Sequence, residues 1–357
     1  MLLSSSIRRL FSFSSSPQQC SSALPRLLLP FRSISTSSCP PLPIVYSNEY
    51  SIDWDDSHRF IMSKFSLLKQ QLIEQGIIRH ESELIQPDFD MLSTLEKAML
   101  VHDASYVQRF FTGNLSKEEM KRIGLPWSSD LPRRMLLEVA GTETAARYAL
   151  KHGLACNTAG GTHHAHRDFG SGFTVFNDLA IASSVLLSEG AASRIMIIDL
   201  DVHQGDGTAA IFEHDRRVFT FSMHGEKNFP LKKENSSFDV PLPDGTDDEH
   251  YLEQLEHHLP RLLGYFEPDF VFYDAGVDTH KNDALGRLSM SNAGLLRRDL
   301  FVLRYLRHNN IPVATVIGGG YAKDHLEVAV RHSIVFNAAK TVWEEMGHGR
   351  LTPNLVF

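Results

Sequence analysis

Short, nearly continuous apolar runs that end in polar clusters recur along the chain from about residue 44 onward. Four of them are RIMIIDLD (194–201), RVFTFSMH (217–224), PDFVFYDAGVD (268–278) and IPVATVIGGGY (311–321). They are rich in Val, Ile and Phe, as are strands that are buried on both faces of a parallel sheet. Helical patterns accompany them at 177–187, 248–266 and 292–309. This alternation predicts an α/β fold with a central parallel sheet and helices on both faces.

Polar residues stand at the C-terminal end of each predicted strand. Open parallel sheets bind their ligands outside the carboxyl ends of the strands. We therefore expect the four strand ends to converge on one crevice that holds the active site. No linker, repeat or low-complexity block interrupts residues 44–357, which predicts one catalytic domain over that range.

Residues 1–43 have a different composition. The first 48 residues contain no Asp, Glu or Lys, and they carry Arg8, Arg9, Arg26 and Arg32 among many serines. This composition predicts an organelle transit peptide. The segment FRSIS around Arg32 resembles mitochondrial cleavage sites, so the mitochondrion is the favoured destination and the chloroplast the alternative. If the segment is instead a Ser/Pro-rich tail without a targeting signal, the protein would stay in the nucleus or cytoplasm.

Charge and cysteine content limit the classes of binding partner and the redox compartment. Loss of four arginines with the N-terminal segment would change the net charge from −8 to −12. An acidic body does not favour nucleic-acid binding and is compatible with a cationic substrate. Cys156 would then be the remaining cysteine, which excludes an intrachain disulfide and fits a reducing compartment. No apolar run is long enough to span a membrane, and the oligomeric state is not readable from the sequence.

The stretch IIDLDVHQGDG (197–207) brings together the residues of a possible metal site. Asp201 and His203 lie two residues apart, so on an extended segment they face the same way. Asp278, which closes the predicted strand at 268–278, offers a third ligand. Two carboxylates and one histidine suit a catalytic zinc with an open fourth position. Asp201 alone is better interpreted as a capping carboxylate, but the three residues together favour the metal.

Two adjacent histidines, His163 and His164, lie in the glycine-flanked segment GGTHHAHRDFGSGF (160–173) and can form a general acid–base pair. Asp199 and Asp206 are carboxylates available to orient imidazole rings, although Asp206 alone is also typical of an Asp-Gly turn. His166 is interpreted as exposed rather than as a further ligand.

Tyr321 follows the glycine run Gly318-Gly319-Gly320 at the end of a predicted strand. A tyrosine hydroxyl on such a turn can donate a hydrogen bond to an oxyanion. The glycine spacing matches neither the P-loop nor the dinucleotide fingerprint.

The segments GGTHHAHRDFGSGFTVFND, IIDLDVHQGDGT, YDAGVDTHKNDALGRLSMS and IGGGY stand in the order found in zinc-dependent histone deacetylases. The chain resembles these enzymes and their bacterial acetylamide-hydrolysing relatives from about residue 44 to 345. The short chain and the segment GLPWS (124–128) are most similar to the class IV branch. The resemblance implies the single-domain arginase/deacetylase fold.

The resemblance also implies residue roles, which fall into four groups. They are the zinc ligands Asp201, His203 and Asp278; the catalytic residues His163, His164, Asp199, Asp206 and Tyr321; the substrate channel of Gly172, Phe173 and Phe229; and a structural monovalent-cation site at Asp199, Ser222 and Met223, expected to hold potassium. Asp199 would orient His163, and Asp206 would orient His164.

The implied activity is hydrolysis of the acetyl amide of N6-acetyl-lysine in proteins by metal-activated water, with His164 taking the proton. Gln204, Thr162 and the short loop at 224–235 depart from the commoner family pattern, which leaves the substrate open. A member that is imported into an organelle would act on acetylated organellar proteins or small acetylamides. Histones, and with them chromatin regulation, are the alternative if the first residues do not direct import. A longer acyl group is also possible.

Two other functions compete with this hypothesis. IIDLDV also fits the nucleophile pattern of haloacid-dehalogenase-like phosphatases, but that function would leave His203 and the adjacent histidines unexplained. A catalytically dead acyl-lysine binding module is disfavoured because every predicted metal and catalytic position is occupied by a competent residue.

Overall fold

Eight parallel strands form one sheet within residues 40–346, the part of the chain that the computed structural model describes. The strands are β1 (Ile44–Val45), β2 (Leu84–Ile85), β3 (Leu154–Asn157), β4 (Ile195–Asp199), β5 (Val218–Gly225), β6 (Phe238–Leu242), β7 (Phe270–Asp274) and β8 (Val313–Val316). Their order in the sheet is β2-β1-β3-β8-β7-β4-β5-β6. The predicted transit peptide lies, except for its last four residues, outside the described residues.

Both faces of the sheet centre are covered. Every residue of β3, β4, β7 and β8 is buried. Because successive side chains of a strand point to opposite faces, uniform burial requires helices on both sides of the sheet. The predicted parallel α/β architecture is therefore confirmed.

Ten α-helices accompany the sheet in the described residues. They are α1 (Lys64–Glu74), α2 (Met91–Ala98), α3 (Ala104–Phe111), α4 (Lys117–Ile123), α5 (Leu131–His152), α6 (Asp178–Ser188), α7 (Asp206–Phe212), α8 (Asp248–Phe266), α9 (Asn292–His308) and α10 (His325–Glu345). Side-chain caps begin several of them, such as Asp247 before α8 and Ser291 before α9. No described helix has the length and apolar character needed to cross a membrane.

Two of the expected strand positions need correction. Strand β7 ends at Asp274, so Asp278 does not close the strand but lies four residues beyond it. Strand β4 ends at Asp199, so Asp201 and His203 lie in the bend that follows rather than on an extended segment. The connections after β4 and β7 approach each other closely, and a Cβ on Gly276 would clash with the carboxylate of Asp201.

The segments that carry the predicted catalytic and metal residues follow four adjacent strands. The loop after β3 holds the two histidines, and the loops after β8, β7 and β4 hold Tyr321, Asp278 and the Asp201–His203 pair. The carboxyl ends of parallel strands meet at one edge of the sheet, so these side chains are brought together there.

Candidate active site

The adjacent histidines lie in the loop between β3 and α6, which the start of α6 holds in place. Asp178 accepts hydrogen bonds from the backbone N–H and the hydroxyl of Thr162, at 2.8 and 2.6 Å. Asn177 caps α6 through Ala180 and also donates to the carbonyl of Ala165 at 3.2 Å. These two residues fix the backbone on both sides of the histidine pair. Their role in holding this loop was not predicted, although the FND segment after the glycine-rich loop marks a helix start.

Each histidine is paired with the carboxylate that was predicted to orient it. His163 Nδ1 donates to Asp199 Oδ2 at 2.7 Å, and His164 Nδ1 donates to Asp206 Oδ1 at 2.6 Å. All four side chains are buried, and the two imidazole rings lie 4.2 Å apart between centroids. The Nε2 atoms of both rings are thereby left available for chemistry.

The two imidazoles differ in protonation. Burial disfavours a charge on His163, but Asp199 and Asp201 outweigh it and hold the pKa of His163 well above its ordinary value. Burial and the neighbouring His163 lower the pKa of His164 to about 4, although Asp206 opposes the shift. His164 is therefore the neutral member of the pair and the one able to accept a proton.

Asp201, His203 and Asp278 form a buried three-ligand group in which all three ligand atoms lie within 4.8 Å of one another. His203 Nδ1 is 3.0 Å from Asp201 Oδ1 and 3.1 Å from Asp278 Oδ2. The backbone N–H of Gly319 donates to Asp201 Oδ2 at 2.7 Å, and a Cβ at this glycine would clash with Asp278. The glycine run therefore lets the backbone approach the carboxylates closely.

Tyr321, Phe173 and Phe229 lie around the approach to this group. The Tyr321 ring centroid is 6.3 Å from that of His203 and 5.8 Å from that of Phe173. Phe229 packs edge-on against His164 with 4.9 Å between centroids. Gly172 has φ +54°, and a Cβ there would lie 2.6 Å from His164 Cδ2, so the position requires glycine. Of the three predicted channel residues, Gly172 and Phe229 therefore lie against His164, and Phe173 lies against Tyr321.

The predicted monovalent-cation residues lie on neighbouring strands. Asp199 stands opposite Ser222 of β5 in the strand register, and Met223 follows Ser222. On its other side Asp199 stands opposite Asp274 of β7. His163, Asp199 and Asp274 make a second buried group that could hold a metal ion.

Asp274 was missed in the sequence because its strand was expected to continue to Asp278. Both of its carboxylate oxygens are buried without a hydrogen-bond partner in the described residues. Burial and Asp199 raise the pKa of Asp274 well above its ordinary value. A polar residue at the last position of a buried strand is the signal that identifies it.

The side chains of Lys64 and His166 also lie in places that the sequence did not predict. The Lys64 side chain was given no role, yet it is buried at the inner end of the active site, 3.4 Å from the carbonyl of Gly318. Burial lowers its pKa to about 8. His166 is not fully exposed, since its Nε2 lies 3.1 Å from Asp206 Oδ2 and its ring stacks on Phe169. Asp206 thus contacts two imidazoles, which a sequence pattern does not show.

The family profile described as a histone deacetylase domain matches residues 58–335. The chain belongs to the histone deacetylase family. Members of this family are hydrolases that act on amides, and the enzyme class predicted from the sequence is confirmed.

Relatives of this deacetylase-family protein include an uncharacterized protein of Picosynechococcus sp., which is 51% identical over 84% of this chain and 99% of its own length. Histone deacetylase 2 of Arabidopsis thaliana is 29% identical over 80% of this chain and 76% of its own. Among solved structures, an acetylpolyamine aminohydrolase from Burkholderia pseudomallei superposes with a TM-score of 0.66 at 19% identity, over 84% of this chain and 99% of that one. The last comparison shows that the fold is shared.

The active site of this deacetylase-family chain has a narrow base and a wide mouth. The base encloses about 30 Å³ and is lined by the two histidines, by Asp201 and His203, and by the glycine run. The mouth encloses about 370 Å³ and is lined by Phe173, Phe229 and a set of charged side chains. The His164 and Tyr321 side chains contact both spaces.

Proposed function

We propose that the protein is a zinc-dependent deacetylase that hydrolyses the acetyl amide of N6-acetyl-lysine in proteins. The observation that carries this proposal is the position of the buried three-ligand group beside the two histidine–aspartate pairs, at the closed end of an aromatic channel. An extended acetyl-lysine side chain entering between Phe173 and Phe229 would present its amide to these groups.

The three-ligand group fits a divalent cation. Two carboxylates that are both fully buried repel each other, and burial together with Asp201 raises the pKa of Asp278 to about 7. A cation removes this cost, because buried charges are stable when they are paired or coordinate a metal. One histidine nitrogen and two carboxylate oxygens form a catalytic zinc site with an open position. We propose potassium for the site near Asp199, Ser222 and Met223, where the strand register supports it.

When bound, zinc would supply Lewis acidity toward the acetyl carbonyl and would acidify a water molecule. The neutral His164 accepts the proton of the attacking water, and Asp206 keeps its ring in the tautomer that leaves Nε2 free. The imidazolium that results returns a proton to the leaving amine. His163, held in its charged form beside Asp199, contributes positive potential where the tetrahedral oxyanion forms.

Tyr321 is proposed as the second oxyanion donor. Burial and Asp278 hold the pKa of Tyr321 well above its ordinary value, so its hydroxyl stays protonated and can donate. The backbone N–H of Tyr321 donates to Asp283 Oδ2 at 2.7 Å, which anchors the turn that carries the ring.

The size of the base favours a short acyl group. A water molecule needs about 10–15 Å³, so the volume of about 30 Å³ corresponds to two or three water-sized groups and supports acetyl over a long acyl chain. Small acetylated amines are the second candidate substrate, because the chain shares its fold with a protein named as an acetylpolyamine aminohydrolase.

The test is hydrolysis of an acetyl-lysine peptide panel by the zinc-loaded protein. We expect turnover that is lost in Asp201→Ala and kept in the matched variant Asp215→Ala, whose aspartate lies at the opposite, amino end of β5. Turnover of acetylated polyamines but of no peptide would replace the protein substrate with a small one. Zinc binding without hydrolysis of either substrate would disprove the proposed activity.

We further propose that the N-terminal segment, which contains no acidic residue, directs import into the mitochondrion, with the chloroplast as the alternative destination. A fluorescent protein fused behind residues 1–43 should collect in one of these organelles. Uniform fluorescence in the cytoplasm and nucleus would contradict import and would return histones to the list of substrates.

A further inference from the structure

The mouth of the active site is ringed by basic side chains. They are Arg59, Lys121, Arg122, Lys227 and Arg287. All five are exposed. They surround the same opening as Phe173 and Phe229, through which the substrate must enter.

The five residues come from four separate parts of the chain. Arg59 precedes α1, and Lys121 and Arg122 belong to the last turn of α4. Lys227 follows β5, and Arg287 lies in the connection after β7. Cations at the end of α4 also suit the helix dipole, but no single local effect explains why three other segments bring cations to the same opening.

Few carboxylates neutralise this ring. Asp244 lies 2.8 Å from a guanidinium nitrogen of Arg287 and 3.8 Å from Lys227 Nζ. Within residues 40–346, no carboxylate oxygen is recorded within 4 Å of the charged nitrogens of the other three side chains. The Arg122 guanidinium instead lies 4.4 Å from the centroid of the Phe169 ring. Asp55 and Asp56 are near Arg59 in sequence, but neither lines the mouth.

The mouth is positively charged, whereas the whole chain has a net charge of −8. A group that enters the active site comes within a few ångströms of the ring, well inside the Debye length of about 8 Å at physiological ionic strength. The local field therefore decides which substrates are concentrated at the opening, and the distant acidic surface is screened.

We propose that the basic mouth selects acetyl-lysine residues whose flanking positions carry aspartate or glutamate, and that it disfavours lysine- and arginine-rich segments and acetylated polyamines. This inference rests on the proposed deacetylase function and specifies its substrate class. The acetyl-lysine side chain occupies the channel while the adjacent backbone crosses the mouth, which brings flanking carboxylates to the exposed cations. Exposed ion pairs are individually weak, so the preference arises from several of them acting together.

The experiment compares three acetyl-lysine peptides of equal length, with acidic, neutral or basic flanking residues. For each we would measure kcat/KM and, separately, Kd from the fluorescence anisotropy of a labelled peptide. We expect kcat/KM for the acidic peptide to exceed that for the basic peptide by about tenfold, with the neutral peptide between them. The order of Kd values should be the same.

The double variant Arg59→Gln/Arg122→Gln should reduce the ratio between acidic and basic peptides to about twofold. Arg216→Gln is the matched control, because this exposed arginine precedes the amino end of β5 on the opposite edge of the sheet and also has no recorded ion pair in the described region. It should keep the wild-type ratio. Thermal unfolding of all variants would verify that they are folded.

The two proposals fail in different ways. If no peptide is hydrolysed but Kd still favours the acidic one and depends on Arg59 and Arg122, the mouth inference stands and the deacetylase function is wrong. If the three peptides are bound and hydrolysed equally, or if the double variant keeps the full ratio, the mouth inference is overturned.

Discussion

The base and the mouth of the active site differ in how their charged side chains are placed and paired. At the base, ionisable side chains are buried and held by one another, as in the His163–Asp199 and His164–Asp206 pairs. At the mouth, five cations are exposed, and within residues 40–346 two of them, Arg287 and Lys227, lie near a carboxylate, that of Asp244. The groups at the base are paired because an unpaired buried charge is costly, while water and salt screen the exposed charges of the mouth.

This difference separates chemistry from selectivity. Removing one member of a buried constellation leaves its partner unpaired and misplaced, so we expect changes at the base to cost activity by orders of magnitude. Removing an exposed cation changes one weak, screened interaction, so we expect changes at the mouth to alter substrate preference by small factors.

The largest effect should come from the proposed oxyanion donor. Tyr321→Phe removes the hydroxyl but keeps the ring against Phe173, so kcat should fall by about 10²–10³-fold with little change in KM. Steady-state kinetics on an acetyl-lysine peptide would measure this, with Tyr305→Phe in α9 as the control. A loss of less than about threefold would contradict the role of the hydroxyl.

A smaller loss is expected when Asp206 is replaced. Asp206→Asn weakens the orientation of His164, and kcat/KM should fall by about 10–100-fold. Because Asp206 raises the pKa of His164, its removal should lower that pKa below about 4 and move the acid limb of the pH profile to lower pH. Asp215→Asn is the control, and an unshifted profile with undiminished kcat/KM would show that Asp206 does not position the base.

Lys64 should affect stability at the base. Its pKa is about 8 in the folded protein and 10.5 when unperturbed, so keeping the charged form in the folded protein costs about 3 kcal/mol below pH 8. Lys64→Met should raise the free energy of unfolding at pH 7 by at most that amount. Loss of the hydrogen bond to the carbonyl of Gly318 offsets part of the gain. The gain should shrink as pH rises from 8 to 10.5, where the unfolded state binds more protons than the folded state. Urea unfolding at pH 7 and 10 would test this, with exposed Lys117→Met as the control.

The smallest effect should be the response of the mouth to salt. Raising the ionic strength from about 0.05 to 0.5 M shortens the Debye length to about 4 Å and should narrow the preference for acidic over basic peptides by about threefold. The peptide with neutral flanks is the internal reference in the same kinetic assay. A preference that does not change with salt would mean that shape, rather than charge, selects the substrate.

Long periodic elements were predictable from the sequence. The helix pattern at 248–266 coincides with α8, because its apolar residues recur with the helical period. Strand β3 was not identified, because its sequence Leu-Ala-Cys-Asn contains no β-branched or aromatic residue, unlike the equally short β8. Helix α5 was also missed, because most of its residues are buried and its polar face is narrow.

The histidines and aspartates of the candidate site were predictable from the sequence, but the residues around them were not. His163, His164, Asp201, His203 and Asp278 were named from the sequence, and the structure brings them together. The unpartnered carboxyl group of Asp274 depends on where β7 ends, and the basic mouth depends on four segments that meet only in the folded chain. Net charge was compatible with a cationic substrate, but it averages over surfaces that lie away from the opening and therefore does not show the charge of the mouth.

The central claim is that hydrolysis depends on one metal ion at Asp201, His203 and Asp278. The most direct test is a zinc titration of chelator-treated protein during hydrolysis of an acetyl-lysine peptide. We expect the rate to be at background without zinc, to rise with each addition and to reach its maximum at one zinc ion per chain. Full activity in the stripped protein, or no activity at any zinc concentration, would contradict it.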